Sequence, residues 1–458
     1  PPNAPAPILV MTSGNLSEEP IAYTNEDALE RLSSLADAFL LHNRDIHVRC
    51  DDSVVRTISF TDHASRITPY ALRRSRGYAP NPIKLSHTLP PILATGAELK
   101  NTFCLTRDNY AFMSHHIGDL ENYETLRSFE EGIDHFERLF RISPELIAYD
   151  KHPNYLATRY ALERAERDNI PAIGIQHHHA HIAACMAEHG LTGEQPVIGV
   201  ALDGTGYGDD GTIWGGEFLV ADYKGYERPY SLKPVPLAGG DTAVRQPWRI
   251  ALAYLHQANI PWDDDLPPLY HGSRITHHEK ALSAIQHQLK TGLNAPLTSS
   301  MGRLFDGVAA LLGVRQTVNY EAQAAIELET LVDGGDRRVY DLDVANGRID
   351  PAPMFRQIVA EMRAGTETGV IATRFHNTIS WMVTHICQRI RQETGLNEVV
   401  LSGGVWQNMT LLQQTIPQLE INDFAVYWHT KIPANDGGLS LGQAMIAAQS
   451  SSFIPYPS

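Results

Sequence analysis

The sequence predicts an α/β protein of several units, and three observations carry that reading. Short apolar runs alternate with helix-patterned stretches from Pro91 onward. Those runs end at polar or glycine-rich turns, where ligands gather in open α/β sheets. The chain has 458 residues, room for about three domains or lobes at roughly 150 residues each. With 43% apolar and 20% charged residues it has ample material for cores and little case for bulk disorder.

The elements follow in order. Ile8 to Met11 reads as a strand running into the polar turn Thr12-Ser13-Gly14-Asn15, with a helix from about Asn25 to Ala38. A strand, a turn of small donors and a helix is an arrangement that lets backbone and hydroxyl groups meet an anion. Pro80, Pro82, Pro90 and Pro91 then punctuate a polar segment that reads as a linker, placing a boundary near residue 88. Beyond it, Ile92 to Thr95, Thr102 to Thr106, Ala111 to Ser114 and Leu146 to Tyr149 read as strands, and Tyr123 to Phe140 as an amphipathic helix. The buried runs Ala172 to Ile175 and Val197 to Leu202 continue the alternation. A second half is expected from about residue 235, with Ile371, Phe375, Ile379, Met382, Ile386 and Ile390 on one face of a long helix closed by Gly395. The strand Val399 to Leu401 follows. Two lobes, 89–234 and 235–458, facing a cleft suit this layout.

Charge and cysteine usage exclude several roles. With 37 Lys+Arg against 53 Asp+Glu, the net charge of −16 opposes binding to a polyanion, so no nucleic-acid partner is expected. No apolar run reaches the roughly 18 residues of a membrane span. The four cysteines are far apart and form no CxxC pair, which fits a reducing cytoplasm rather than a disulfide framework or thiolate zinc site. The first residue is Pro1 and no signal-like segment follows, so the chain reads as a piece of a longer protein.

The densest chemical signal is His177-His-His-Ala-His181 in an Ala- and Met-rich stretch. On a helix, residues four apart share a face, so His177 and His181 can present two imidazoles to one metal while His178 and His179 point elsewhere. The plainer alternative is a polar helix start with satisfied or solvated histidines. Asp203, ending the next strand, and Asp436, in the turn Pro433-Ala-Asn-Asp-Gly-Gly438, would complete a nitrogen and oxygen set suited to Zn²⁺ or Fe²⁺. Glycine turns are the second signal. Gly204, Thr205 and Gly206 follow Asp203, and Gly403 and Gly404 follow Ser402, each after a strand, which suggests a nucleotide clamped between two lobes. An ordinary hairpin explains the first of these as well. Ser300 to Asp306, with Gly302 and Asp306 as candidate contacts, opens a helix-like stretch from Gly307 to Leu312; its alternative is a surface Arg–Asp pair. Arg66, Arg73, Arg74 and Arg76 make a basic run near Thr12, Ser13 and Asn15, suited to phosphate or to a solvated face. No cysteine or serine nucleophile has an identifiable base.

Together these segments carry a resemblance. Thr12 to Pro20, Arg49 to Arg56, Arg73 to Pro80, His177 to His181, Asp203 to Gly208 and Leu401 to Asn408 resemble, in order, the motifs of the hydrogenase-maturation carbamoyltransferase (HypF) family. The resemblance implies the end of a YrdC-like domain over residues 1–88, then a two-lobed Kae1-like domain of the actin-like ATPase superfamily over 89–458. It implies that carbamoyl phosphate and ATP, with Mg²⁺, form carbamoyl-adenylate in the YrdC-like site. The carbamoyl group would then pass, in the Kae1-like site, to the C-terminal cysteine of a partner, HypE, on the way to the cyanide ligands of [NiFe]-hydrogenase. The family's metal site falls on His177, His181, Asp203 and Asp436. Lys100 is the candidate phosphate contact, grouped with the catalytic residues, and Gly403, Gly404 and Asn408 are candidates for the nucleotide, with Thr12, Ser13, Asn15 and Arg74 in the YrdC-like part.

The family's acylphosphatase-like domain and zinc fingers are not in this sequence. The expectation is a chain that keeps nucleotide and metal binding but does not run the whole synthesis from carbamoyl phosphate. Three rivals stand beside this reading. An O-carbamoyltransferase of natural-product assembly usually carries its Kae1-like half first. A tRNA threonylcarbamoyl transferase sits poorly with the net charge of −16. A non-catalytic actin-like scaffold has no need of a histidine pair.

Overall fold

Apolar runs that are buried on both sides close into two sheets, with two helices packed between them. The computed structural model describes residues 12–16, 19–58, 68–269 and 278–450. The expected strand Ile8 to Met11, and Arg66 of the basic run, lie outside the described residues. The first helix, Asn25–Arg31, is capped by Thr24, whose side chain accepts from Asp27 N–H, and carries an Asp27–Arg31 ion pair. It ends seven residues short of the expected Ala38 because it buries no residue, and short helices without packing are not sustained. Strands β1 (Val54–Ile58) and β2 (Thr68–Arg73) pair antiparallel, and Tyr70 donates a 3.1 Å hydrogen bond to Trp406 O in the distant second half.

The first large sheet has the order β3-β5-β4-β6-β7, formed by β3 (Ile83–Leu89), β4 (Ile92–Ala94), β5 (Cys104–Met113), β6 (Leu146–Asp150) and β7 (Ala172–Ile175). Two expectations change here. The segment read as a linker contains β3, so the sheet begins at Ile83, upstream of residue 88. The two strands expected at 102–106 and 111–114 are one strand, β5, whose exposed Arg107 and Asp108 imitate a turn. Asp108 takes φ 55°, and the strand bends while pairing with both β4 and β3.

The second sheet has the order β13-β14-β10-β9-β8-β15-β16. Its members are β8 (Val197–Leu202), β9 (Gly216–Ala221), β10 (Tyr226–Leu232), β13 (Asp343–Ala345), β14 (Arg348–Asp350), β15 (Glu398–Ser402) and β16 (Ala425–Trp428); β11 (Val235–Pro236) and β12 (Leu297–Thr298) form a separate pair. Residues 197–232 therefore belong to the second lobe, and a division at 235 is corrected to one between β7 and β8. Fully buried β8 lies between antiparallel β9 and parallel β15. The long helix Thr368–Thr394 buries its expected apolar face and ends at Gly395 with φ 78°.

Helix α4, numbered after α1 (Asn25–Arg31), α2 (Tyr123–Phe140) and α3 (Leu156–Asp168), spans His177–Glu188 and is buried along its whole length. It packs with the C-terminal helix Leu439–Gln449 in a core that takes side chains from both sheets. Gln443 clamps the latter helix to the end of β4, accepting from Gly96 N–H at 2.9 Å and donating to Gly96 O at 3.0 Å. No described helix is long and apolar enough to cross a membrane.

Candidate active site

The helix that separates the sheets also supplies the site. Gln176 caps α4 by accepting from His179 N–H at 2.8 Å, which starts the helix so that His177 and His181 fall one turn apart on one face. Asp203 stands just past β8, and Asp436 in the short turn that opens the C-terminal helix. One ligand atom from each of the four lies within 4.8 Å of the others. His181 Nε2 is 3.0 Å from Asp203 Oδ2 and 3.4 Å from Asp436 Oδ1; His177 Nε2 is 3.5 and 3.6 Å from the same atoms. All four residues are buried, and His177 Nε2, His181 Nε2 and Asp203 Oδ2 have no hydrogen-bond partner. Buried polar atoms left unpaired and aimed at one point are costly without a ligand among them. As expected, His178 and His179 are not in this cluster, His179 Nε2 meeting Asp222 O at 2.5 Å.

The charges fit a dication. Burial opposes protonation of His177, but the carboxylates of Asp436 and Asp150 outweigh it and raise its pKa well above 6.5. His181 is raised in the same way, its burial overcome by Asp203 and Asp436. Asp203 is held well below the ordinary carboxylate range: burial raises it, and the two histidines more than reverse that. The pocket thus stabilises positive charge opposite two carboxylates. Two imidazoles and two carboxylates could hold a Zn²⁺- or Fe²⁺-like ion with room for a further oxygen ligand.

Sequence reasoning missed Asp150, the last residue of β6. Its Oδ2 accepts from His177 Nδ1 at 2.8 Å, with both side chains fully buried. That bond fixes the proton on Nδ1 and turns Nε2 toward the cluster. Asp150 is 27 residues from His177, and no local pattern marks it.

The glycine turns meet in an unexpected way. Gly204 N–H and Gly404 N–H, one from each turn, both donate to Asp203 Oδ1, at 2.8 and 3.1 Å. They anchor a carboxylate of the chain itself and leave its Oδ2 to the cluster. Gly204, Gly302, Asp306, Gly404 and Asn408 line one cavity of about 190 Å³ beside Asp203, Asp436 and Lys100. Thr205, Gly206 and Gly403 are not among its lining residues. A Cβ on Gly206 would stand 2.4 Å from His178 Cε1 and 2.8 Å from His177 Cδ2, so this glycine makes room for the histidines. The expected helix from Gly307 begins six residues earlier, at Met301, and takes in Gly302 and Asp306; burial raises the Asp306 carboxyl. Its partner Arg303, 3.1 Å away, is buried with it and is no surface pair.

A second cavity, about 440 Å³, lies where the N-terminal segments meet the first lobe, with Glu321, Gln407 and Asn435 of the second half also in its lining. Asn15, Arg49, Arg73, Arg74, His115 and His116 help to line it. Arg74 is buried; its Nη2 donates to Tyr78 O and Asn81 O, and its Nη1 has no partner. Thr12 and Ser13 are exposed and do not line it, Ser13 Oγ donating to Asn15 Oδ1 at 2.5 Å. Lys100 lines both cavities and forms an ion pair with Glu321, which also lines both.

Fold and site together define a two-lobed α/β protein with a buried His–Asp cluster, of the Kae1-like class. Residues 87–188 match the HypF Kae1-like domain, residues 199–443 the second subdomain of the carbamoyltransferase Kae1-like domain, and residues 3–68 the Sua5–YciO–YrdC family, described as telomere recombination. Carbamoyltransferase HypF2 of Cupriavidus necator is 40% identical over 96% of this chain and 56% of its own length. A carbamoyltransferase HypF homolog of the same organism is 35% identical over 78% of this chain and 92% of its own length. The crystal structure of full-length HypF in the phosphate- and nucleotide-bound form superposes with a TM-score of 0.86 at 45% identity, covering 96% of this chain and 67% of that one. The T. kodakarensis HypF structure gives 0.86 at 33% identity, covering 96% and 57%. The chain belongs to the HypF carbamoyltransferase family, and spans 56% to 58% of the length of its first curated relatives.

Proposed function

We propose that this chain carries the carbamoyl-transfer half of a hydrogenase-maturation reaction, moving a carbamoyl group from carbamoyl-adenylate to the C-terminal cysteine of HypE. The reading rests on one observation above the rest: four buried ligand groups from three elements converge with three of their atoms unpaired. In this reading His177, His181, Asp203 and Asp436 hold a Zn²⁺ or Fe²⁺ ion. A divalent ion there supplies Lewis-acid polarisation of the carbamoyl carbonyl. Asp150 orients His177, and the N–H groups of Gly204 and Gly404 hold Asp203 Oδ1 so that only Oδ2 faces the cluster. The nucleotide lies in the cavity lined by Gly302, Asp306, Gly404 and Asn408, with Lys100 placed for its phosphate. The attacking thiolate forms the C–S bond as the bond to AMP breaks, and AMP leaves with the electron pair.

Asn15 and Arg74, in the larger cavity, belong to the site where carbamoyl phosphate and ATP with Mg²⁺ yield the adenylate in the whole protein. Thr12 and Ser13 are assigned there only as neighbours of Asn15. The test is mass spectrometry of purified HypE after incubation with this chain, pre-formed carbamoyl-adenylate and divalent metal, alongside His177→Ala. The expected result is one carbamoyl mass on the terminal cysteine, lost in the variant. Transfer that persists unchanged in His177→Ala would overturn the assignment.

A further inference from the structure

His177 receives its orientation directly from a buried carboxylate; His181 has no carboxylate on its far side. It has instead a chain of contacts ending on one. His181 Nδ1 lies 3.5 Å from the hydroxyl of Ser402, the last residue of β15. Ser402 Oγ is 2.8 Å from His429 Nε2, and His429 Nδ1 is 2.9 Å from Glu188 Oε2. Glu188 is the last residue of α4, the helix that bears His181, so the chain of contacts returns to its own element. All four side chains are buried.

The proton directions along this chain follow from its end. Glu188 accepts from Thr430 N–H at 2.7 Å, Thr430 Oγ1 at 3.1 Å, Lys431 N–H at 3.2 Å and Ile432 N–H at 3.3 Å. A group surrounded by donors is a carboxylate and an acceptor, so His429 presents Nδ1–H to it. The lone pair of a neutral His429 is then on Nε2, and the Ser402 hydroxyl donates there. That leaves a lone pair on Ser402 Oγ facing His181, which must present Nδ1–H. The Nε2 lone pair of His181 is thereby turned to the cluster. His177 reaches the same state in one step through Asp150.

We propose that Ser402, His429 and Glu188 are positioning residues that set the tautomer of His181, a role that rests on the metal-site reading above. The relay makes a prediction that packing alone does not. Removing the Ser402 hydroxyl leaves Nδ1 without a partner, so the imidazole is no longer held. Removing the acceptor beyond it, in His429→Phe, frees the Ser402 hydroxyl to donate to Nδ1. The proton is then driven onto Nε2, where the metal must bind.

The experiment has two readouts, neither of which is turnover. Histidine-labelled protein is examined by long-range proton–nitrogen NMR without metal, at a pH high enough that His181 carries a single ring proton, the His181 signals being assigned by difference with His181→Gln. Zn²⁺ affinity is measured by chelator competition for wild type, Ser402→Ala, Ser402→Thr, His429→Phe and His177→Ala. The wild type should show Nδ1–H on His181 and His429→Phe should show Nε2–H. Ser402→Ala should bind Zn²⁺ roughly 10- to 100-fold more weakly, His429→Phe at least as weakly, and Ser402→Thr should recover most of the loss. Nε2–H on His181 in the wild type would overturn the proposal even if no variant folds. Wild-type Zn²⁺ affinity in both Ser402→Ala and His429→Phe, with His177→Ala impaired, would also overturn it. An unimpaired His177→Ala would instead overturn the metal-site reading itself.

Discussion

The site is only as precise as the contact between the two helices that lie between the sheets, and Gly442 is where that contact is tightest. A Cβ built on Gly442 of the C-terminal helix would stand 1.8 Å from Ala180 O, 2.7 Å from Ala180 C and 2.8 Å from Ala184 N, all of them α4 backbone atoms. Ordinary contact begins near 3.4 Å, so in Gly442→Ala the helices must part by roughly 1.6 Å at this point. Ala180 is flanked by His179 and His181, and backbone cannot rotate aside as a side chain can. Overpacking typically costs about 1–3 kcal/mol, and the better helix propensity of alanine returns at most about 1 kcal/mol. A net loss of roughly 1–2 kcal/mol is expected by urea denaturation. The effect on the site is larger, because an error of about 1 Å in a functional group can cost on the order of 100-fold. Zn²⁺ affinity should therefore fall by at least about 10-fold. Gly225→Ala, which meets nothing within 4 Å, is the control. Wild-type metal affinity in Gly442→Ala would refute the argument that helix spacing sets the ligand geometry.

Three further outcomes are expected. Asp150→Asn can offer its amide N–H to His177 Nδ1 and so favour the tautomer that blocks Nε2. Metal affinity should drop roughly 10- to 100-fold with little change in far-ultraviolet dichroism, and calorimetric titration checks it. Burial pushes His115 down to about 4 and His116 to about 3, from an ordinary 6.5. The unfolded chain therefore takes up protons first, so stability is full above pH 6.5 and is lost as pH falls toward 4. Each unit is worth about 1.4 kcal/mol, so His115 alone accounts for roughly 3 kcal/mol; the difference between wild type and His115→Gln in urea denaturation at both ends of that window measures it. Lys100 and Glu321 have side chains 30% and 48% exposed, so Glu321→Gln should change stability by less than about 1 kcal/mol. It should tighten AMP binding by releasing Lys100, while Lys100→Gln weakens it; equal AMP affinities in both variants would remove Lys100 from the phosphate site.

The part of this molecule that the sequence makes legible is the part governed by local period. The pair His177 and His181 is visible because a helix brings residues four apart together, and the face from Ile371 to Ile390 is visible for the same reason. Asp150 and Glu188 act across space, through partners 27 and 241 residues away, and nothing local records that. The glycine turns were legible as places where N–H groups gather, but not as to which anion they gather around. An N–H donor serves a phosphate or the carboxylate of Asp203 equally well, and the fold decides. The prolines misled in a specific way. Pro82 precedes β3, and Pro90 and Pro91 stand between β3 and β4, so none of them interrupts a strand interior. A segment that composition marks as a linker therefore contains an edge strand.

The arrangement around Asp203 leads to a last expectation. One oxygen of this carboxylate is held by N–H groups from both glycine turns, and the other faces His177 and His181. The same turns help to form the cavity of about 190 Å³ assigned to the nucleotide. A phosphate entering that cavity draws on the same N–H field that holds Asp203, and any shift of Asp203 is felt at the cluster. Metal and nucleotide therefore cannot bind independently. Coupling of this kind is reciprocal: whatever factor the metal contributes to AMP affinity, AMP must return to metal affinity, and couplings of about 1–3 kcal/mol are common. AMP titrations with and without Zn²⁺, and Zn²⁺ titrations with and without AMP, give the two factors separately. Equal factors above one would mean that Asp203 is better placed with the cavity filled, and equal factors below one that phosphate and Asp203 compete for the same donors. A factor of one in both directions would separate the cavity from the cluster and leave the shared carboxylate without a role in linking them.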